Sequence, residues 1–422
     1  MNFQSLVLLI GTNPLPNYVI AKYFSDTNTD LLNIFMIHSS GNANQSSTRE
    51  YAENIEKVLK KNKPDTNLNF KYVSLNDIEN QKSNFNDLNS AFDEVSIDEN
   101  IHLNYTGGTK TMGIHTYNFL KEKYINTFES SYLSAKMFKL INENGELKSD
   151  DLRKKVNIEL LDLLTLHGFI RANEDRYYNF EKAIKRFEDY INLNNLDFYF
   201  KSYSRTYFSS KSGQLIKDKD LLEKKFKGDS SNNKLKEELC ISNGLLEINS
   251  LLPVNFQLFD EKGKLLQELP KNEFIQTTIE FIDGKWLEEY FFNILTESLE
   301  NNIVKLKNWK VKKTFWTEKL DFELDVILIY GYQLCGISIT TIDKKANCKH
   351  KGFEIIMRTR QMGGDESKSV LITRLSEGQV QALQNELELD TGGTSKNIMI
   401  LGKDDFKKEK LIKKIKQFME VN

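Results

Sequence analysis

Two sets of residues in this chain of 422 have the types and spacing that phosphate chemistry needs. One is the run Asn104-Tyr105-Thr106-Gly107-Gly108-Thr109-Lys110-Thr111-Met112. Its paired glycines let the backbone come close to a ligand, since no Cβ intervenes and positive φ is tolerated. The first N–H groups of the helix that follows have no helical acceptor and suit an anion or an acceptor-rich base. Thr106 and Thr109 add hydroxyls, and Lys110 adds a mobile positive charge. A second polar turn, Gly11-Thr12-Asn13-Pro14-Leu15-Pro16-Asn17, offers the amides of Asn13 and Asn17 on an entry that Pro14 and Pro16 stiffen. The run at 104–112 has neither Walker A nor dinucleotide-fingerprint spacing, and a ligand-free strand-to-helix turn accounts for the same residues.

The other set is acidic. Glu323 and Asp325 lie two apart in an apolar run, Phe322 to Ile329, and so share one face of a strand. Glu288 or Glu289, near the start of a helix opening at Gly284, offers a further carboxylate. Carboxylates converging on a phosphodiester favour hard ions such as Mg²⁺ or Mn²⁺. Such an ion lowers the pKa of a bound water and stabilises charge on the phosphorus oxygens. The plain alternative for Asp325 is an exposed residue on an amphipathic strand.

The elements that must position these groups alternate in type. Short apolar runs at Ser5–Ile10, Asn33–His38, Phe70–Ser74 and Asn100–Tyr105 are separated by helix-like stretches such as Arg49–Lys61 and Asp87–Val95. That alternation predicts a doubly wound parallel sheet, whose ligand crevice lies at the carboxyl ends of its strands. Both polar turns fall at such ends. From Gly284 the order becomes helix, then strands over 305–314, 322–329 and 334–340, with a Tyr330-Gly331-Tyr332 hairpin. The stretch between reads either as a helical connector with solvated lysine faces or as a winged-helix DNA binder. No internal repeat is evident. We place the boundaries at 1–148, 149–270 and 271–422.

Composition limits the function classes. Hydrophobic residues make up 39% and charged residues 28%, which fits a globular protein and excludes wholesale disorder. With 58 Lys and Arg against 60 Asp and Glu, no overall basic bias announces nucleic acid, so any such contact comes from a local patch. Cys240, Cys335 and Cys348 have no metal-site spacing, which points to a reduced, cytoplasmic setting. The segment 1–10 lacks a basic leader and is too short for a membrane span. The five histidines show no zinc or triad spacing.

The two polar loops together resemble the CARF domain, the CRISPR-associated Rossmann-like sensor of cyclic oligoadenylates. The resemblance covers about the first third of the chain. It implies ligand contacts at Gly11, Thr12, Asn13, Pro14, Leu15, Asn17, Asn104, Thr106, Gly107, Gly108, Thr109, Lys110 and Met112. It also implies a homodimer that holds a two-fold ring, cyclic tetra-adenylate, across its axis.

The C-terminal order, with Asp325 on the middle strand, resembles the PD-(D/E)XK nucleases. That family expects Glu-x-Lys on the third strand, where this chain has Ser338 and Thr340. The next helix offers both missing groups in Lys351 and Glu354, although a solvated helix face accounts for them equally. The implied catalytic set is Asp325, Glu288, Lys351 and Glu354, with Asp325, Glu288 and Glu354 as metal ligands. The expected architecture is α/β: a Rossmann-like sensor, a mixed α/β connector and a restriction-endonuclease-like effector. Both resemblances imply a type III CRISPR ancillary nuclease that cleaves DNA, RNA or both in the presence of Mg²⁺ or Mn²⁺. The Ser338 and Thr340 departures keep open a catalytically dead fold acting as a ligand-gated regulatory or nucleic-acid-binding protein.

Overall fold

The computed structural model describes residues 2–41, 46–64, 67–173, 180–227, 238–313, 321–391 and 397–421. The chain begins with β1 (Ser5–Leu9), α1 (Leu15–Thr27), β2 (Asn33–Ser39), α2 (Arg49–Asn62), β3 (Asn69–Leu75), α3 (Gln81–Ala91), β4 (Ile101–Asn104), α4 (Lys110–Lys123), β5 (Phe128–Ser134) and β6 (Lys139–Asn142). It continues through α5 (Leu160–Leu166), β7 (Phe169–Arg171), α6 (Glu181–Asn192), α7 (Leu196–Ser202), α8 (Lys219–Phe226), α9 (Asn243–Leu251), α10 (Asn272–Glu280) and α11 (Trp286–Ser298). The last part holds β8 (Ile303–Lys313), β9 (Asp321–Tyr330), β10 (Gln333–Ile339), α12 (Lys345–Gly363), β11 (Lys368–Ile372), α13 (Glu377–Asp390), β12 (Ile398–Leu401) and α14 (Lys408–Met419). Two compact units result. One contains 1–173, 301–336 and 354–369; the other contains 174–300, 337–353 and 370–422.

In the first unit, six strands take the order β3-β2-β1-β4-β5-β6. The pairs β3–β2, β2–β1, β1–β4 and β4–β5 are parallel, and β6 returns antiparallel to β5. Every residue of β1 and β4 is buried, as strands covered on both faces must be, and this is why β1 reads as a near-continuous apolar run after Ser5, while β4 interleaves buried His102 and Asn104 with Ile101 and Leu103. Val7, Leu9, Phe35, Ile37, Leu103, Met112 and Leu120 belong to one core cluster. The doubly wound expectation for this part is met. Strand order reverses between β1 and β4, so the loops after these two strands flank the crevice of such a sheet.

A second six-stranded sheet has the order β12-β11-β10-β9-β8-β7. Strand β7 pairs antiparallel with β8, and β8 with β9. At three residues, β7 is too short for its alternation to be read from sequence.

The helical part of the second unit contains a recurrence that the sequence conceals. Isolated bridges join Ser209 to Leu215 and Phe259 to Leu265, and Ile141 to Leu147 in the first unit. Each closes a tight hairpin whose fifth residue is a glycine in the left-handed region: Gly213, Gly263 and Gly145, with φ of 80°, 77° and 82°. In the second unit one hairpin joins α7 to α8 and the other joins α9 to α10, while α7 packs against α9. Phe208, Phe226 and Phe259 cluster beside them, with Phe226 and Phe259 centroids 5.0 Å apart. Little besides the glycine and the flanking apolar residues repeats, and that explains why no period was visible.

Among the described residues no helix is long and apolar enough to cross a membrane.

Candidate functional site

The loops after β1 and β4 meet directly. A Cβ on Gly11 would stand 3.0 Å from the Gly108 amide nitrogen, and Gly108 itself has φ +72°. Gly107 is closed in still more tightly, for a Cβ there would overlap the Leu9 carbonyl and the Asn17 amide. Only glycine tolerates this approach. Asn17 is fully buried, and its Nδ2 donates to the Leu9 carbonyl at 2.8 Å. Among the described residues its Oδ1 has no hydrogen-bond partner.

The remaining loop residues divide by their bonding. Asn104 Oδ1 accepts from the Thr106 N–H and hydroxyl, at 3.2 and 2.7 Å, and Thr106 Oγ1 accepts from the Leu133 N–H at 2.7 Å. Asn104 Nδ2 donates to Ser131 Oγ at 3.1 Å. Asn104 and Thr106 thereby stitch β4 to β5. Thr109 caps α4, its Oγ1 accepting from the Met112 N–H at 3.2 Å. Met112 and Leu15 are core residues, and Pro14 is buried at the start of α1. Thr12 and Lys110 are exposed, and among the described residues Lys110 forms no ion pair. The groups left to meet a ligand are the backbone around Gly11, Gly107 and Gly108, the free valences of Thr12 and Thr109, and the Lys110 ammonium.

Sequence-chosen residues of the C-terminal region fall in both units. Asp325 lies half-buried in β9, and Glu354 is exposed on α12; both belong to the first unit. Glu288, half-buried in the first turn of α11, and Lys351, half-buried on α12, belong to the second. Opposite Asp325 the pairing of β8 with β9 skips one residue without a change of register. Lys307 pairs with Val326 and Trp309 with Leu324, while Asn308 between them takes φ +55° and forms no bridge. Its carbonyl instead accepts from Asn173 Nδ2 at 2.6 Å. Glu323 is tied to Lys310 across the strands at 3.6 Å. Ser338 lies in β10 and Thr340 one residue beyond it, and Thr340 Oγ1 accepts from the Ile342 N–H at 3.3 Å. Among the described residues no group of three or more His, Cys, Asp or Glu side chains could hold a metal ion. A closed protein cage therefore does not fit. Mg²⁺ commonly uses only one or two carboxylates, with waters and substrate phosphates completing its shell.

Residues 5–160 match the Card1 CARF domain. This part of the chain is thus similar to a CARF domain. Over nearly its whole length it has the fold of two solved structures. One is Can2 from Sulfobacillus thermosulfidooxidans, in complex with cyclic tetra-adenylate, with 15% identity, TM-score 0.62, and 98% of this chain and 99% of that one covered. The other is the protein VC1899 from Vibrio cholerae, with 14% identity, TM-score 0.64, and 98% and 97% covered. At these identities the likeness is one of fold. No curated protein matches the chain.

One CARF-loop residue has partners that sequence reasoning missed. Asn13 Nδ2 donates to Glu366 Oε2 at 3.3 Å, and its Oδ1 accepts from the Leu15 N–H at 3.3 Å. Its Oδ1 also lies 3.4 Å from His167 Nε2. Burial pushes the His167 imidazole down to about 4, while the Leu163 carbonyl, 3.0 Å from Nδ1, opposes that shift. The ring is thus neutral at physiological pH, with Nδ1 assigned as the donor to the carbonyl. Burial raises the Glu366 carboxyl to about 7, against which the Asn13 hydrogen bond acts. In sequence, Gly363-Gly364-Asp365-Glu366 carries only the signal of a helix stop, and nothing local reveals that it faces a loop some 350 residues away.

Proposed function

We propose that this protein binds cyclic oligoadenylate, cyclic tetra-adenylate in the first instance, and acts as a ligand-activated nuclease in type III CRISPR antiviral defence. The observation that supports the sensing half most directly is the CARF match at 5–160, together with the glycine-lined junction of Gly11 with Gly108. The same ligand stands in the Can2 structure. In our reading residues 1–148 sense, 149–270 connect and 271–422 act. A homodimer presents two copies of the crevice to one ring. Backbone N–H groups near Gly107 and Gly108 and the Lys110 ammonium take the phosphates, while Thr12 and Thr109 hydroxyls add polar contacts. The ring shifts the protein toward the dimer arrangement it binds better, by no more than its difference in affinity.

For the effector half, Asp325 is the first candidate, with Glu288, Lys351 and Glu354 as further candidates for catalysis or metal binding. A divalent ion there supplies an activated water and charge neutralisation. Asp325 sits opposite Asn308, whose left-handed backbone interrupts an otherwise in-register pairing, and backbone held in such sparsely populated conformations recurs at active sites. The test is cleavage of plasmid, single-stranded DNA and RNA in Mg²⁺ or Mn²⁺, with and without cyclic tetra-adenylate. Asp325→Ala is expected to lower ring-dependent cleavage by about a hundredfold or more, since a catalytic metal supplies several kcal/mol of transition-state stabilisation, with ring binding unchanged in calorimetry. Equal cleavage by both proteins would overturn the assignment.

Lys110→Ala is expected to weaken ring binding about tenfold, the loss of one charge-assisted contact. The deficit should shrink as salt rises. Unaltered affinity at low salt would exclude Lys110 from the phosphate contacts.

Ser338 and Thr340, where a Glu-x-Lys pair is expected, favour a second reading: a catalytically silent fold whose ring-dependent output is binding. Ring affinity without cleavage of any substrate would select it.

A further inference from the structure

We propose that Asn13 and Glu366 form the contact through which ring occupancy of the sensor crevice reaches the C-terminal half of α12 and the β9–β10 hairpin. This inference rests on the ring-binding reading given above.

The contact has the features a relay needs. Asn13 lies two residues beyond Gly11, in the loop the ring would engage. Glu366 lies three residues beyond the end of α12. A Cβ on Gly364, which has φ +70°, would overlap the Asn13 amide, so the turn 363–366 packs its backbone on that side chain. Glu366 is only 5% exposed and cannot itself reach a ligand in the crevice. Among the described residues it has no ion pair, and Asn13 is the side chain that donates to its carboxylate. The carboxylate also accepts from its own backbone N–H, so loss of the Asn13 donor leaves a buried group one hydrogen bond short and favours a shift of the side chain or uptake of a proton. Displacement of the Asn13 loop is therefore felt at Glu366.

From Glu366 the path continues through buried groups. Its carbonyl accepts from Gln333 Nε2 at 3.0 Å, and Gln333 Oε1 accepts from Arg153 Nη1 at 2.9 Å. Gln333 and Arg153 are both buried. Arg153 in turn holds Asp151 at 2.8 Å and lies over the Phe138 ring at 3.9 Å. The hairpin that receives these contacts begins with β9, the strand of Asp325. Asp365, beside Glu366, is bound to Arg360 of α12 at 2.5 Å. Glu366 thus joins the crevice loop through its carboxylate and the hairpin through its backbone carbonyl, while the neighbouring Asp365 ties the same turn to the helix.

The experiment uses the full chain with cyclic tetra-adenylate, calorimetry for affinity and hydrogen exchange over 330–336 and 354–369. In the wild type, ring addition is expected to change exchange in both segments. Glu366→Ala should remove that change and alter ring affinity at least about fivefold, the lower end of ordinary coupling. Glu366→Gln keeps an acceptor and should restore both. If Glu366→Ala does not fold, Asn13→Ala replaces it, with loss of the exchange change expected. Ring binding with no exchange change in the wild type overturns the relay alone, as does a wild-type response in either variant. No binding of the ring overturns the sensing reading, and the relay with it.

Discussion

Gly107→Val is expected to abolish measurable ring binding and to destabilise the first unit by about 3 kcal/mol or more. A Cβ at this position would stand 2.6 Å from Asn17 Nδ2 and closer still to the Leu9 carbonyl oxygen. The valine must therefore displace a fully buried side chain and the end of β1. Overpacking a dense site costs about 1–3 kcal/mol, and stranding the Leu9 carbonyl adds about 1–3 kcal/mol. The crevice is built from the same atoms, so binding fails with the local geometry. Gly378→Ala is the matched control, since a Cβ there meets nothing within 4 Å. Thermal unfolding and calorimetry read both effects. A valine variant with wild-type unfolding and ring affinity would show that the two loops do not meet as described.

The second large effect is on the pH dependence of stability. Burial raises Glu366 from the ordinary value of 4.5 to about 7. A raised folded-state pKa gives stability that is whole below about 4.5 and is lost as pH rises through about 7. The difference of about 2.5 pH units corresponds to about 3 kcal/mol. Glu366→Gln cannot ionise, so its stability relative to wild type should climb by about that amount between pH 4.5 and 8. His167, held down to about 4, acts in the opposite sense, and its contribution is lost as pH falls from about 6.5 to 4. It is common to both proteins and cancels in the comparison. Urea unfolding midpoints at matched pH values provide the measurement. Parallel pH profiles for the two proteins would show that Glu366 is not buried as a raised carboxyl. The measurement needs no ligand and no nuclease activity, so it probes the junction independently of function.

The candidate crevice was legible because its determinants are local. Gly107-Gly108 before a capping threonine, and a polar turn after a fully apolar strand, state their conformations through nearest neighbours. Two such turns in an alternating pattern then imply adjacency, because parallel strands expose all their carboxyl ends along one edge. What could not be read was the division of labour inside the loops. Asn17, Asn104 and Thr106 carry polar groups that look available, yet their bonds go to Leu9, Ser131 and Leu133. Side-chain type specifies capacity for hydrogen bonding, while the neighbours that use it come from other strands.

The C-terminal region shows the same limit more strongly. Alternation over 322–329 identified β9, and the helix signals identified α11 and α12. The skipped pairing opposite Asp325 depends on Asn308 and Asn173, which lie apart in sequence and meet only because β7 pairs with β8. The repeated hairpins escaped notice because a glycine and a few apolar residues suffice to build them.

By itself, then, the amino-acid sequence determined the alternating strands and helices, the glycine turns and the acidic strand, since each follows from short-range sterics and hydrophobic period. Tertiary structure alone decided that Asn13 faces Glu366 and His167 and that Gly364 lies against its amide. No local preference encodes a contact between residues more than 350 positions apart; it exists because the fold packs the turn 363–366 on the Asn13 side chain, where the buried Glu366 carboxyl finds a donor amide.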